Sequence, residues 1–281
     1  MAASTQCILG LVCAPHTGAI DRRKDRALLI LDRFKLNGKT ALVTGSSRGL
    51  GAAIAVALAE AGANVAVHGS TQVPETTKQQ VMASGAQALA LSGDVGDKEV
   101  CARLVEQTVE HFGGIDILVN NAGTIRRSPA ADHSEEDWKL LIDVNLTSVF
   151  RLTQHAGRHM LARGWGKIIN IASLLTFQGG ILVPSYAAAK GGVGQLTKAF
   201  ANEWAAKGIN VNAIAPGYME TDNTEALRNN PERAPKILER IPAGRWGQPQ
   251  DLAGAALFLA SSASDYVHGH ILIVDGGWMN R

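Results

Sequence analysis

The chain has few cysteines, almost no net charge and no long hydrophobic run, and each shortage excludes a class of protein. The three cysteines, Cys7, Cys13 and Cys101, have no paired spacing, so neither a disulfide framework nor a cysteine-ligated metal site is indicated. A net charge of +2 over 281 residues gives no basis for binding nucleic acid or an anionic membrane. We expect an ordinary globular protein of the reducing cytoplasm, without a metal.

The first 35 residues stand apart from the rest. Their apolar run, residues 7–14, is far too short to span a bilayer. A basic cluster at residues 22–24 follows this run rather than preceding it, unlike the order in a signal peptide. We predict a poorly ordered extension over residues 1–35 and one domain over residues 36–281.

Short β-rich runs alternate with helix-length segments from residue 39 onward. Runs such as 41–43 are continuously apolar, as expected of parallel strands buried on both faces. The alternation predicts a single Rossmann-type α/β domain, with a doubly wound seven-stranded parallel sheet flanked by helices. The predicted strands are 40–44, 64–68, 86–91, 115–120, 167–172, 210–214 and 271–274. The predicted helices are 50–61, 74–84, 97–112, 134–163, 186–207 and 249–260.

Three glycines follow the first predicted strand and open the first predicted helix. Gly45, Gly49 and Gly51 permit a tight turn and close approach of the backbone to a ligand, and the N–H groups of the helix start can hold a pyrophosphate. Glycines also serve plain turns, but the strand–turn–helix context favours a dinucleotide site.

The end of the second predicted strand leaves the choice of cofactor open. An acidic residue there would bind the ribose hydroxyls of NAD, and an arginine would receive the 2′-phosphate of NADP. The chain has His68, Gly69 and Ser70 instead. Arg48 in the glycine turn could reach a 2′-phosphate or could be solvated. The residues therefore predict NAD(H) or NADP(H) without choosing between them.

A tyrosine and a lysine four residues apart carry the chemistry. Tyr186 and Lys190 would lie on one face of a helix, where an ammonium favours the phenolate. Tyr186 can deliver a proton to a nascent alkoxide, and Ser173, thirteen residues upstream, can polarise a carbonyl. A buried tyrosine at a helix start could also be a structural residue. Together with the glycine turn, this set indicates a nicotinamide-dependent oxidoreductase that interconverts a secondary alcohol and a ketone.

These motifs resemble the short-chain dehydrogenase/reductase family, and the likeness extends from residue 36 to residue 278. It includes residues 120–123 (Asn-Asn-Ala-Gly), Pro216-Gly217 and Thr221. The resemblance implies that Ser173, Tyr186, Lys190 and Asn145 are catalytic, with Asn145 holding a water. It implies that Asp94 meets the adenine and Thr221 the nicotinamide carboxamide. The full predicted cofactor set is Gly45, Ser47, Arg48, Gly49, Leu50, Gly51, Ser70, Asp94, Val95, Asn121, Ala122, Gly123, Tyr186, Lys190, Pro216, Gly217 and Thr221.

Within the family, the chain most resembles dehydrogenases of keto-deoxy sugar acids. The more telling segments are residues 125–127 (Ile-Arg-Arg) and 177–186. This likeness implies a sugar-acid substrate of uronate catabolism, NAD(H) as the favoured cofactor, and a homotetramer. The long helices over 134–163 and 186–207 and the C-terminal run 269–278 would meet other subunits.

Two arginines give the sugar acid independent support. Arg126 and Arg127 follow the fourth predicted strand, where ligands bind in open parallel sheets, and a guanidinium can grip a carboxylate with two hydrogen bonds. Both could instead be solvated or paired with Asp132 or Glu135. Gln178 and Tyr218 complete the predicted substrate contacts.

Other activities compete with this interpretation. The same chemistry could act on a gluconate, as in a gluconate 5-dehydrogenase, or on a 3-oxoacyl thioester. A cofactor-binding sensor without turnover is a third hypothesis, but such a module would not need the general acid Tyr186.

Overall fold

The structure of the protein is a computed structural model that describes residues 29–281. Cys7, Cys13 and most of the predicted extension lie outside the described residues. Ahead of the predicted domain, Ile30–Phe34 forms a short 3₁₀ turn. The Arg33 guanidinium donates to the Ser262 carbonyl at 3.0 Å, and the Ser262 hydroxyl donates back to the Arg33 carbonyl. This turn therefore rests on the body of the domain.

One sheet organises the described residues, and all seven of its strands are parallel, in the order β3-β2-β1-β4-β5-β6-β7. The strands are β1 Thr40–Val43, β2 Asn64–Gly69, β3 Ala88–Ser92, β4 Ile117–Asn120, β5 Gly166–Ile171, β6 Ile209–Pro216 and β7 Ile271–Val274. The chain runs outward from β1 in both directions, which opens a crevice at the carboxyl ends of β1 and β4. The predicted seven-stranded doubly wound sheet is confirmed.

Helices cover both faces of the sheet. Within residues 29–281 they are α1 Gly49–Glu60, α2 Glu75–Ala83, α3 Lys98–Phe112, α4 Glu135–Ile142, α5 Ser148–Arg163, α6 Pro184–Trp204, α7 Asp222–Arg228, α8 Arg233–Arg240 and α9 Ala253–Ala260. Apolar residues of α1 and α9 pack on one face, and those of α3, α5 and α6 pack on the other. None of these helices combines the length and hydrophobicity that a membrane crossing needs.

Several features of the helices differ from the sequence prediction. The helix predicted over 249–260 begins as a 3₁₀ turn, Pro249–Leu252, and becomes α-helical only at α9. The helix predicted over 134–163 is interrupted, because Asp143–Thr147 forms a π turn between α4 and α5. The short helices α7 and α8 were not predicted, since segments of seven and eight residues show little periodicity and owe their stability to tertiary contacts. A capping box of Thr221 and Thr224 starts α7, and Ile237 of α8 packs in a cluster with Trp278.

Candidate active site

The glycine turn lies flat against the loop that follows β4. Gly45 has φ +62°, and a Cβ there would stand 2.7 Å from Ala122 Cα, so only glycine permits this approach. α1 begins at Gly49, and the N–H groups of its first turn have no partner within the helix. The turn therefore fits a pyrophosphate between β1 and α1.

Hydrogen bonds fix this turn to the loop after β4. The Thr44 hydroxyl accepts the N–H groups of Asn121 and Ala122, each at 3.1 Å. The Asn121 amide donates to the carbonyls of Thr44 and Gly45 at 2.9 and 2.8 Å. The structure thus brings the glycine turn and residues 121–123 into one cradle. Thr44, which the sequence analysis did not single out, is the centre of that cradle.

His68 is a structural residue that contacts the backbone of the glycine turn, so it is not available to a cofactor ribose. It is buried; its Nδ1 accepts the Gly45 N–H at 3.1 Å, and its Nε2 lies 2.9 Å from the Gly93 carbonyl. Burial lowers the pKa of His68, so the ring is neutral with its proton on Nε2. At the end of β2, the exposed Ser70 is therefore the residue available to a ribose.

The predicted adenosine contacts lie after β3. The exposed Asp94 accepts the Gly96 N–H at 2.9 Å, and Val95 beside it is buried. In the glycine turn Ser47 is exposed and Leu50 half-buried. These residues occupy the carboxyl edge of the sheet on the β2–β3 side, as an adenosine site requires.

Arg48 and Thr221 connect the glycine turn to α7. The Arg48 guanidinium pairs with Asp222, and both side chains are largely exposed. A Cβ on Gly49 would lie 3.6 Å from the methyl group of Thr221. Pro216 ends β6, and Gly217 follows it. The segment after β6 therefore brings the start of α7 into contact with the glycine turn.

Ser173, Tyr186 and Lys190 meet at the carboxyl end of β5. α6 begins at Pro184, and proline is favoured in the first turn of a helix. Lys190 is buried; its Nζ donates to the Ile171 carbonyl at 2.6 Å and lies 5.6 Å from the centre of the Tyr186 ring. The Ser173 hydroxyl accepts the N–H of Leu175 at 3.2 Å and interacts with the Tyr186 phenol. The three predicted catalytic side chains are therefore neighbours.

Burial dominates the proton affinities of this group. It raises the pKa of Tyr186, while the hydrogen bond with Ser173 and the charge of Arg127 act in the opposite direction. Burial also lowers the pKa of Lys190 to about 8. The pKa of Tyr186 is therefore raised overall, and the effect of the Lys190 ammonium on the phenol stays a prediction. At neutral pH the phenol keeps its proton, as a general acid must.

Asn145 occupies the π turn between α4 and α5. Its side chain is fully buried; the carbonyl oxygen accepts the Thr124 N–H at 3.0 Å, and the amide donates to the carbonyls of Thr124 and Leu141 at 3.0 Å. π turns occur often at functional sites because they shift one residue out of the regular helix. Here the shift joins the two helices to the loop after Gly123.

The structure separates the two arginines of the loop after β4. Arg126 points to α4, with its Nε 3.7 Å from Asp137, so its partner is neither Asp132 nor Glu135. Arg127 donates to the Asn223 carbonyl at 2.9 Å, and its charge lowers the pKa of Tyr186. Of the two arginines, Arg127 is therefore the one whose charge acts on the Tyr186 phenol.

The two remaining predicted substrate residues, Tyr218 and Gln178, lie after β6 and after β5. Tyr218 packs against Trp278 and Trp246, with ring centres 4.5 and 5.5 Å apart. Burial raises the pKa of Tyr218, and nearby arginines including Arg127 oppose this shift. Gln178 is half-buried, one turn after Leu174, whose carbonyl accepts its N–H at 3.1 Å.

Known proteins share this architecture. A family model described as enoyl-(acyl carrier protein) reductase matches residues 45–279. The 2-dehydro-3-deoxy-D-gluconate 5-dehydrogenase of Bacillus subtilis (strain 168) is 56% identical over 250 residues, which cover 89% of this chain and 98% of the relative.

Solved structures give the same result. A candidate 2-deoxy-D-gluconate 3-dehydrogenase from Agrobacterium tumefaciens with bound NADP is 55% identical, with a TM-score of 0.83, over 89% of this chain and 100% of that one. A gluconate 5-dehydrogenase from Burkholderia cenocepacia in complex with NADP and tartrate is 43% identical, with a TM-score of 0.85, over 89% of this chain and 99% of that one. Each likeness spans about nine tenths of the chain.

Proposed function

The chain belongs to the short-chain dehydrogenase/reductase family, and we propose that it interconverts a secondary alcohol and a ketone on a keto-deoxy sugar acid, as an NAD(P)-dependent enzyme of the 2-dehydro-3-deoxy-D-gluconate 5-dehydrogenase type. The observation that carries the proposal is the meeting of Ser173, Tyr186 and Lys190 beside the glycine cradle. Relatives at 53–56% identity with this activity support the substrate class.

A proton path at the phenol follows from the geometry. A bound nicotinamide supplies or accepts the hydride. Tyr186, kept protonated by burial, donates its proton to the alkoxide oxygen as the ketone is reduced and takes it back in the reverse direction. The Ser173 hydroxyl, next to the phenol, polarises the same oxygen. The Lys190 ammonium holds ribose hydroxyls of the cofactor. Asn145 holds a water that relays protons to Lys190.

The cofactor is held by the cradle, with Asn121–Gly123 on one side and Thr221 on the other. We propose that both nicotinamide nucleotides bind, with NAD(H) favoured. No acidic side chain stands at Ser70 to repel a 2′-phosphate. The pair of Arg48 with Asp222 is exposed, so it contributes at most about 1 kcal/mol and can yield to a phosphate. The NADP in solved relatives is consistent with this.

The substrate is held by Arg127, with Gln178 and Tyr218 beside it. Arg127 is near enough to the catalytic phenol to change its pKa, and a guanidinium with five donors can bind a carboxylate while keeping its contact to the Asn223 carbonyl. The ketone of a short sugar acid would then lie over Tyr186. Arg126, turned to Asp137, has no part in this contact.

We propose that the protein assembles as a homotetramer and that it works in the cytoplasm. An apolar groove of about 420 Å³ between α5 and α6, lined by Leu146, Phe150, Leu196 and Ala199 among others, supports a subunit contact there. Phe150 is 41% exposed within this groove, and a contiguous exposed apolar patch, unlike a single exposed residue, marks an interaction site. The three cysteines without paired spacing are consistent with a reducing compartment.

Substrate profiling tests the proposed function. Purified enzyme is assayed with NAD(H) and NADP(H) against 2-dehydro-3-deoxy-D-gluconate, 2-deoxy-D-gluconate, gluconate and a 3-oxoacyl thioester. We expect kcat/KM to be highest for a keto-deoxy or deoxy sugar acid. A higher value for gluconate or for the thioester would replace the proposed substrate class.

A further inference from the structure

A histidine outside the predicted site joins the loop of Arg127 to the helix of Tyr186. The Ser128 hydroxyl lies 2.7 Å from His133 Nδ1, and the Ser185 hydroxyl lies 2.8 Å from His133 Nε2. Ser128 directly follows Arg127, and Ser185 directly precedes Tyr186. The imidazole therefore spans the space between the arginine-bearing loop and the first turn of α6.

A backbone contact joins the same two segments at a strained residue. The Ser128 N–H donates to the Leu182 carbonyl at 3.0 Å. Leu182 has φ +68°, and among residues 29–281 it is the one non-glycine residue in the left-handed region. A leucine keeps this conformation only where its surroundings over-determine it, and such residues cluster at functional sites. The loop is thus held to the start of α6 by two separate contacts.

The chemistry of the imidazole suits positioning rather than proton transfer. Each ring nitrogen faces a hydroxyl, which can donate or accept a hydrogen bond. Either neutral tautomer of His133 satisfies both serines. Ser185 is fully buried, so loss of the ring would leave its hydroxyl without a partner. The contact therefore keeps the two segments at one distance.

We propose that His133 is a positioning residue that sets the distance between Arg127 and Tyr186 and thereby makes the enzyme selective for ketones that carry a carboxylate. The inference rests on the proposed function, in which Arg127 holds the carboxylate. A substrate that contacts both residues must match their separation, and a displacement of about 1 Å can cost up to about 100-fold in rate. A neutral ketone has no carboxylate for Arg127, so its reaction does not depend on that separation and should be affected little.

The test compares kcat/KM for 2-dehydro-3-deoxy-D-gluconate and for its methyl ester. In His133→Ala we expect a loss of about 10- to 100-fold on the acid and less than about 3-fold on the ester. His133→Gln, which keeps a donor and an acceptor, should recover part of the loss. His159→Ala is the matched control, because that histidine pairs with Glu106, away from the site. In an Arg127→Ala background, His133→Ala should add little, since the group that it positions is gone.

Several outcomes distinguish failure of this inference from failure of the proposed function. Wild-type enzyme without activity on the acid would overturn the proposed function and this inference together. An active wild type with equal losses on acid and ester in His133→Ala, or full additivity with Arg127→Ala, would overturn this inference alone. Amide hydrogen exchange gives a readout that needs no substrate: the Ser128 amide should exchange faster in His133→Ala than in wild type. Unchanged exchange would also overturn the inference.

Discussion

Replacing Arg127 by alanine should cost the enzyme its preference for an acid. The guanidinium has donors left after its contact with the Asn223 carbonyl, so it can form two charge-assisted hydrogen bonds to a carboxylate. Such contacts are worth roughly 1.5–3 kcal/mol, and each 1.4 kcal/mol is a factor of about ten. We therefore expect kcat/KM on 2-dehydro-3-deoxy-D-gluconate to fall about 10- to 100-fold.

The structure supplies a matched control in the preceding residue. Arg126 has the same charge and a neighbouring position, but its contacts are exposed: an ion pair with Asp137 at 3.7 Å and hydrogen bonds to Thr124 and to the Ile125 carbonyl at 3.4 and 3.2 Å. Exposed pairs contribute about 0–1 kcal/mol, so Arg126→Ala should change kcat/KM by less than about 3-fold. The two variants separate a specific contact from the general loss of positive charge.

The assay must also separate carboxylate binding from an indirect effect on α7. Removing Arg127 deletes its hydrogen bond to Asn223, which could loosen α7 and weaken the binding of every substrate. Steady-state kinetics on the acid and on its methyl ester distinguish these causes, because loosening acts on both while carboxylate binding acts on the acid alone. Equal losses on the two substrates, or a larger loss in Arg126→Ala, would refute the assignment.

Four further predictions concern the cofactor, the proton donor and the assembly. Tyr186→Phe should lower kcat by about 100- to 10,000-fold, while the Kd for NADH, measured by fluorescence titration, stays within about 2-fold of the wild-type value. A variant that keeps a tenth of wild-type turnover would show that Tyr186 is not the general acid. Burial lowers the pKa of Lys190 to about 8, so its ammonium is present below that pH and lost above it. The affinity for NADH should therefore weaken as the pH rises through about 8, whereas the affinity of Lys190→Arg should not change over this range. The same pH dependence of affinity in wild type and variant would contradict this. Arg48→Ala should reduce kcat/KM with NADPH relative to NADH by about 10-fold, the loss of one charge-assisted phosphate contact; an unchanged ratio leaves Arg48 without a role in cofactor choice. If the proposed tetramer forms through the groove between α5 and α6, Phe150→Glu should give a smaller assembly than wild type in light scattering, because it places a charge in that groove. A wild-type monomer at micromolar concentration would refute the proposed tetramer itself.

The order of the elements, and the meeting of Tyr186 and Lys190 on one helix, could be predicted from the sequence. Continuous apolar runs such as residues 41–43 are buried along their whole length, and this pattern has few explanations other than a parallel strand between two helical layers. The spacing of Tyr186 and Lys190 places both on one helix face, because 3.6 residues make a turn. Each of these inferences uses residues within a few turns or one strand of each other, where local geometry fixes the outcome.

The tertiary structure alone decided which side chains face the site. Nothing in their adjacent positions distinguishes Arg126 from Arg127, and only the placement of α4 and α7 gives them different partners. The direction of the Tyr186 pKa shift likewise depends on burial, which sequence spacing does not report. His133 and Ser185 are 52 positions apart, so their contact arises only when the loop after β4 folds against α6. Side-chain contacts between distant segments are set by packing, and packing is a property of the whole chain.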